Sequence, residues 1–431
     1  MTIRGFRGEL LSVSRDPHHH PDAVRHEPDG LLVVEDGIVI ARGDHAALAS
    51  RYRGLAIDPL PGLIVPGFID AHVHYAQMDH IASHGEQLLD WLDRHIFPAE
   101  KAFADRAHAD RTATLFLDEL LRNGTTSALV FPTVHAHSVD ALFDAAIGRN
   151  MRILSGKILM DLGPDGLADT VGSGRDDSEA LIRRWRGRGR LGYAVTPRFA
   201  LTSSDAQLQA AGALLADHPD VLLHTHLAEN LRECAVVADR FPTAHDYLDV
   251  YDRFGLVGDR SVFAHGVHLS DRACTRLAQS GAGIAVCPSS NLFLGSGFFD
   301  FGQADAHGVR IGLGTDVGAG TSFSLLHTAG LAYQAALSRH YPLDPFHALY
   351  LATAGSAALL RIDDRVGGLE PGQEADFVLL DSQSTPLLAR RTAGASLADR
   401  LFPLQILGDD RAVARTYIMG DCAWRRDGQR S

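Results

Sequence analysis

The chain has 431 residues, 45% of them hydrophobic and 22% charged, with 40 Lys+Arg against 53 Asp+Glu and a formal net charge of −13. That length holds two or three domains, or one large barrel with additions, and the composition is that of a globular protein that needs no staples to build a core. The acidic balance excludes nucleic acid as the main partner, because phosphate binding needs clustered Lys and Arg, and no run of about 18 apolar residues is present to span a membrane.

Taken in order, the first nine residues carry no apolar h-region, so no secretory signal is expected. Residues 1–65 hold short β-like runs, 31–34 and 37–40, split by Glu-Asp-Gly turn chemistry. Within them His18-His19-His20 reads as a solvated loop. Eight apolar runs then alternate with helical stretches: 63–70, 126–131, 152–159, 192–196, 221–226, 261–265, 282–287 and 309–315. The stretch 109–123 has helical apolar spacing and ends in Asn123-Gly124, a C-cap signal. The basic run from Arg183 to Arg190 reads as a solvated helix end. Near-continuous apolar strands separated by helices predict a parallel sheet covered on both faces. Eight such units predict an α/β fold, a (β/α)8 TIM-like barrel. Residues 366–431 return to short β-like texture, with 377–380 as a strand. The expected organisation is therefore a catalytic barrel over 66–365 and a small β-sandwich domain built from 1–65 and 366–431. Cys234, Cys274, Cys287 and Cys422 lie far apart with no C-x-x-C pair, which reads as the reduced thiols of a cytoplasmic protein.

In such a barrel the chemistry sits at the C-terminal ends of the strands. The first run leads into Asp70-Ala71-His72-Val73-His74, where residues two apart share a face, so both imidazoles reach one ion. The fifth run ends in His224-Thr225-His226, the sixth in His265, and the eighth leads into Thr315-Asp316. Singly these have plainer readings: 23 histidines are scattered through the chain, and Asp316 alone would serve as a helix N-cap. Jointly, four of eight strands ending in metal-competent side chains point to a metal site of imidazole and carboxylate ligands. Such a set suits zinc, with iron the next choice. Strand spacing leaves His224 and His226 undistinguished. No H-E-x-x-H, G-x-S-x-G or G-x-x-x-x-G-K-[ST] occurs, which excludes the common metalloprotease, serine hydrolase and P-loop classes. His84-Gly85-Glu86 matches half of a different zinc signature whose P-C-x-x-C half is absent.

The segment Pro66-Gly67-Phe68-Ile69-Asp70-Ala71-His72-Val73-His74 resembles the first-strand motif of the amidohydrolase superfamily, and Leu369-Glu370-Pro371-Gly372-Gln373-Glu374-Ala375-Asp376 resembles the segment that re-enters its small β-domain. Within that superfamily, further blocks are similar to the guanine deaminase family. They include His74-Tyr75-Ala76-Gln77, the block from Gly85 to Trp91-Leu92, Phe97-Pro98-Ala99-Glu100, Thr196-Pro197-Arg198-Phe199-Ala200, His226-Leu227-Ala228-Glu229-Asn230 and the stretches 287–297 and 314–322. Ala76 departs from the family pattern, which has Pro or Ser there.

The resemblance implies zinc-dependent hydrolytic deamination of guanine to xanthine and ammonia, by attack of hydroxide on C2. It implies one zinc per chain (iron as the alternative), held by His72, His74, His226 and Asp316. The His-x-x-Glu spacing selects His226 over His224, which then packs behind the ligand or in the core. Glu229 and Asp316 are implied as proton shuttles and His265 as the partner of the attacking water. Gln77, Arg198, Phe199, Trp91 and Leu92 are implied to line the substrate pocket. The Arg198 guanidinium is a fixed fork of donors suited to purine O6 and N7, and the Gln77 amide offers donor and acceptor to the N3/N9 edge. Binuclear relatives bridge two ions through a carbamylated lysine or a carboxylate. The only lysines here are Lys101 and Lys157, and Lys157, mid-run in the third strand, reads as structural. The expected partners are a small purine and, from the resemblance, a second copy of the chain in a homodimer. A deaminase of another aminated heterocycle (8-oxoguanine, a pterin or an s-triazine) is the alternative within the enzyme class. A non-catalytic scaffold is the alternative outside it, and that reading expects broken ligand positions.

Overall fold

A computed structural model describes residues 2–84 and 87–426. The chain opens with four strands of a small sheet, β1 (Ile3–Val13), β2 (Val24–Glu35), β3 (Ile38–Asp44) and β4 (Ile57–Pro66). The barrel strands follow: β5 (Phe68–His74), β6 (Thr125–Phe131), β7 (Arg152–Ser155), β8 (Ile158–Leu159), β9 (Gly192–Pro197), β10 (Leu222–Leu227), β11 (Ser261–His265), β12 (Gly283–Val286) and β13 (Arg310–Leu313). The chain then returns to the small sheet with β14 (Phe377–Leu380), β15 (Val413–Ile418) and β16 (Asp421–Arg425). Both chain ends therefore build one seven-stranded sheet in the order β16-β15-β14-β4-β1-β2-β3. Its two faces alternate as strand geometry demands: on β2, Leu32 and Val34 pack with Phe6 and Phe377, while Leu31 and Val33 pack with Ala41 on the other side.

The barrel strands are parallel and run in the order β13-β12-β11-β10-β9-β7-β6-β5, with β8 on β9. Every residue of β5 and β6 is buried, which is why these strands read as unbroken apolar runs. The helix Arg106–Arg122 begins three residues before the expected start because Asp105 caps it, accepting from Ala107 N–H at 2.9 Å. It stops at Asn123, before Gly124 at φ +81°.

Three segments differ from the sequence expectation. The run 63–70 is divided at Gly67: residues up to Pro66 pair antiparallel with β14, and Phe68 begins the barrel. A Cβ on Gly67 would lie 2.2 Å from Thr126 Oγ1, so the crossover between the two sheets needs glycine. The run 152–159 is broken at Gly156-Lys157, where a Cβ on Gly156 would lie 1.8 Å from the Ala194 carbonyl oxygen. Lys157 therefore sits at a break rather than mid-strand, and its buried Nζ donates to Asp169 at 2.6 Å. The basic run is not simply a solvated helix end. Arg184 pairs with Asp140 at 2.5 Å and Arg186 with Asp220 at 2.8 Å. Arg190, buried just before β9, reaches Glu374 and Asp376 at 2.5 Å each and ties the barrel to the segment entering β14. Arg152 shares Glu374 at 2.5 Å.

All four cysteines are free thiols, and among the described residues no helix is long and apolar enough to cross a membrane.

Removing one member of a buried ion pair strands the other and costs about 3–5 kcal/mol. Arg190→Ala is therefore expected to lower the unfolding free energy obtained from urea titration by an amount of that order, with a lower midpoint. An unchanged midpoint would mean that Arg152 alone satisfies both carboxylates.

Candidate active site

The polar strand ends converge at one mouth of the barrel. β5 projects His72 and His74 from one face, their ring centroids 4.9 Å apart. β10 brings His224 and His226, β11 ends in His265, and Asp316 follows β13. Nε2 of His74 lies 3.2 Å from Nε2 of both His72 and His226. Asp316 Oδ1 lies 3.2 Å from His72 Nε2 and 3.3 Å from His74 Nε2. The second carboxylate oxygen, Oδ2, is 3.8 Å from His265 Nε2. Asp316 is thus no helix cap; Ser324 caps the helix that follows.

Backbone geometry holds these groups in place. Gly314 allows β13 to approach β5, since a Cβ there would lie 2.9 Å from His72 Cβ. His265 and Asp316 both adopt left-handed φ values, +73° and +51°, a conformation that costs free energy for residues with a side chain and concentrates at functional sites.

Each imidazole is oriented from behind. His226 Nδ1 is 2.7 Å from the Arg198 carbonyl oxygen. That oxygen only accepts, so the proton is on Nδ1 and the Nε2 lone pair faces inward. His72 Nδ1 is 2.7 Å from His224 Nε2, which places His224 behind the first-strand ligand, and the Gln77 amide lies 3.0 Å from His74 Nδ1. His265 Nδ1 is 3.0 Å from Asn291 Oδ1. Burial pushes His74 down to about 3, and His72 and His226 below the usual histidine range as well, so all three are neutral imidazoles. Burial works against the Asp316 carboxylate, but its hydrogen bonds with His72 and His74 hold it well below the usual range. His72, His74 and His226 bring ring nitrogens within 4.8 Å of one another, and Asp316 Oδ1 lies against the first two, a set of imidazole and carboxylate donors that fits a single divalent cation.

Glu229 lies just past β10, where Ala228 at φ +48° turns the chain. Its carboxylate Oε2 is 3.4 Å from His265 Nε2, and the Ser296 hydroxyl is at 3.5 Å from Oε1. Burial, then the charges of Asp316 and Glu233, raise the Glu229 carboxyl well above the usual range. A cation bound beside it acts in the opposite sense. Its backbone N–H donates to Glu233 Oε2 at 3.0 Å, within a capping box that also uses Asn230.

A cavity opens on these groups, and Gln77, Trp91, Leu92, Arg198 and Phe199 all line it with Glu229, His265 and Asp316. Phe199, Trp91 and Leu92 belong to one apolar cluster completed by Leu294 and Ala319. Arg198 is buried and donates to Glu100 Oε2 at 2.6 Å, and Gln77 Nε2 donates to Glu100 Oε1 at 3.2 Å. One buried carboxylate therefore fixes both Gln77 and Arg198.

Sequence reasoning missed Glu100, Glu233, Asn291 and Asp70 as supports. The Asn230-x-x-Glu233 spacing was a legible capping box, whereas Glu100 stood inside the Phe-Pro-Ala-Glu block with no role attached. Asp70 and Asn291 carried no signal in the linear chain. Gly85 and Glu86, part of the quoted blocks, lie outside the described residues.

Residues 63–423 match the amidohydrolase family. The chain is 44% identical to the guanine deaminase of Escherichia coli (strain K12), over 99% of each chain. A solved structure of the E. coli guanine deaminase superposes with a TM-score of 0.95 at 43% identity, covering 99% of this chain and all of the other. The guanine deaminase of C. acetobutylicum, solved with bound guanine in the active site, superposes with a TM-score of 0.91 at 27% identity, covering 98% and 100%.

Partners that orient a metal-bound histidine typically contribute about 10–100-fold to metal affinity. His224→Ala is expected to weaken metal binding by that factor, read by competition with a chelator, with the fold retained. Unaltered affinity would reduce His224 to core packing.

Proposed function

The chain belongs to the amidohydrolase family and, within it, to the guanine deaminases, and on that footing we propose that it hydrolyses guanine to xanthine and ammonia with one metal ion held by His72, His74, His226 and Asp316. The observation that carries this reading is the convergence of those four side chains at the end of a cavity lined by Glu229 and by Arg198, whose guanidinium pairs with Glu100. Zinc, or iron in its place, supplies hydroxide at neutral pH by lowering the pKa of water to about 7.

The residues of the chain then account for binding and proton transfer. Arg198 donates to O6 and N7 of the purine, its charge balanced by Glu100, so a neutral base enters a site with no unpaired cation. Gln77 meets the N3/N9 edge, and Phe199, Trp91 and Leu92 enclose the ring and exclude water. Asp316 accepts a proton from the attacking water through Oδ2, the oxygen turned toward His265. His265 hydrogen-bonds that water and fixes its approach to C2. Glu229 gives its proton to N3 as charge builds on the ring; the water proton taken by Asp316 passes to the departing ammonia, and the proton of the new C2 hydroxyl reloads Glu229. The free, widely spaced thiols support a cytoplasmic setting.

The test is an ammonia-release assay over guanine, 8-oxoguanine, pterins and s-triazines. Guanine is expected to be the best substrate by kcat/KM; a triazine or pterin in first place would overturn the assignment. In the same assay Glu229→Gln is expected to keep its metal and bind guanine with KM little changed. Its kcat should fall by at least about 100-fold, because the amide fills the same space but carries no proton. Retention of more than about a tenth of the activity would move the shuttle to Asp316 or His265.

Arg198→Ala alone would strand Glu100 in the interior, so the contact to the base is best measured in a Glu100→Gln background. Against that background, adding Arg198→Ala is expected to cost about 1.5–3 kcal/mol, or roughly 10–150-fold in kcat/KM for guanine. Equal kinetics for the single and double variants would confine Arg198 to its pair with Glu100.

A further inference from the structure

A second cluster of metal-competent side chains lies where the connection after β1 meets two barrel helices. Asp16, His18 and His19 come from that connection, Asp305 from the helix Phe301–His307, and His347 from the helix Pro345–Ala352. His19 Nε2 is 2.6 Å from Asp305 Oδ1 and His18 Nε2 is 3.8 Å from Asp305 Oδ2. One ligand atom each from Asp16, His19 and Asp305 lie within 4.8 Å of one another. Among the described residues neither carboxylate is paired with Lys or Arg. His18 and His19 thus face Asp305 while all three residues of the histidine triplet stay exposed.

His347 is the independent observation. Its side chain is 3% exposed and its Nδ1 has no hydrogen-bond partner, while Nε2 faces Asp16 Oδ2 at 3.6 Å, too far for a hydrogen bond. The nitrogen turned toward Asp16 is Nε2, and an ion shared with Asp16 would engage it there in place of the missing hydrogen bond.

We propose that Asp16, His19 and Asp305, with His18 and His347 in reach, form a second metal site for a borderline divalent cation such as Zn2+. Imidazole and carboxylate donors select that class of ion, and the ion would clip the N-terminal sheet to the barrel. The ligands sit on a partly exposed surface, so this ion exchanges more readily than the one buried in the barrel.

The experiment takes the metallated enzyme after gel filtration into metal-free buffer and titrates it with Zn2+ alone by equilibrium dialysis. The wild type is expected to take up one further equivalent and to melt at a higher temperature with it. The double variant His18→Ala/His19→Ala, whose side chains are exposed and which should fold normally, is expected to bind that equivalent more than about 100-fold more weakly, since loss of a supporting group alone typically costs 10–100-fold. Zn2+ should no longer raise its melting temperature, and its kcat for guanine should be unchanged. Failure of the wild type to take up further Zn2+ would overturn the proposal. So would equal uptake by the double variant, which would put the second ion in the barrel.

Discussion

Closure of the barrel between its first and last strands is the constraint on which the site depends. β5 and β13 stand at opposite ends of the barrel sheet, and no ladder of the regular kind joins them. The gap is bridged by a buried carboxylate. Asp70 accepts the Thr315 backbone N–H at 3.0 Å, the Thr315 hydroxyl, and the His72 N–H at 3.2 Å. Just beyond it, Asp316 N–H donates to the His72 carbonyl at 2.8 Å and His74 N–H to the Val317 carbonyl at 2.8 Å. Burial pushes Asp70 up to about 7 even with these donors pulling it down. The return is that Asp316 is brought against two histidines some 240 residues earlier in the chain, with its backbone already satisfied.

From that closure the logic of the site is one of neutral ligands held from behind. Burial keeps the imidazoles neutral, while His224, the Arg198 carbonyl and Gln77 hold the rings so that each Nε2 faces inward. Two of these supports also face the substrate. Arg198 holds His226 through its carbonyl and presents its guanidinium to the cavity; Gln77 touches His74 and Glu100 at once. The imidazole cluster and the cavity wall are therefore mechanically joined, and a change on one side is felt on the other.

The barrel was legible because strands covered on both faces leave a plain trace: an apolar run with turn chemistry at each end. That trace reports burial, not which sheet does the burying. The run 63–70 looked like one strand, yet Leu63 to Pro66 belong to the small sheet and Phe68 to the barrel, and only the contact of Gly67 with Thr126 shows why. The break at Gly156-Lys157 was hidden in the same way, since both halves are buried. Arg190 was misread with its neighbours because charge in a linear run says nothing of the acids, Glu374 and Asp376, that arrive nearly two hundred residues later.

The sequence by itself determined the elements and the donors: eight buried runs, a His-x-His at one strand end, and metal-competent residues at three others. Alternation along a strand puts residues two apart on one face, so those pairings are properties of the local chain. What the tertiary structure alone decided is which donors meet and what holds them. Strand spacing cannot separate His224 from His226; the partner of each nitrogen does so. Nor can it show that Glu100, in a separate helix, anchors both Arg198 and Gln77. Those relations depend on distances between residues far apart in the chain, and such distances are set only when the sheet closes on itself.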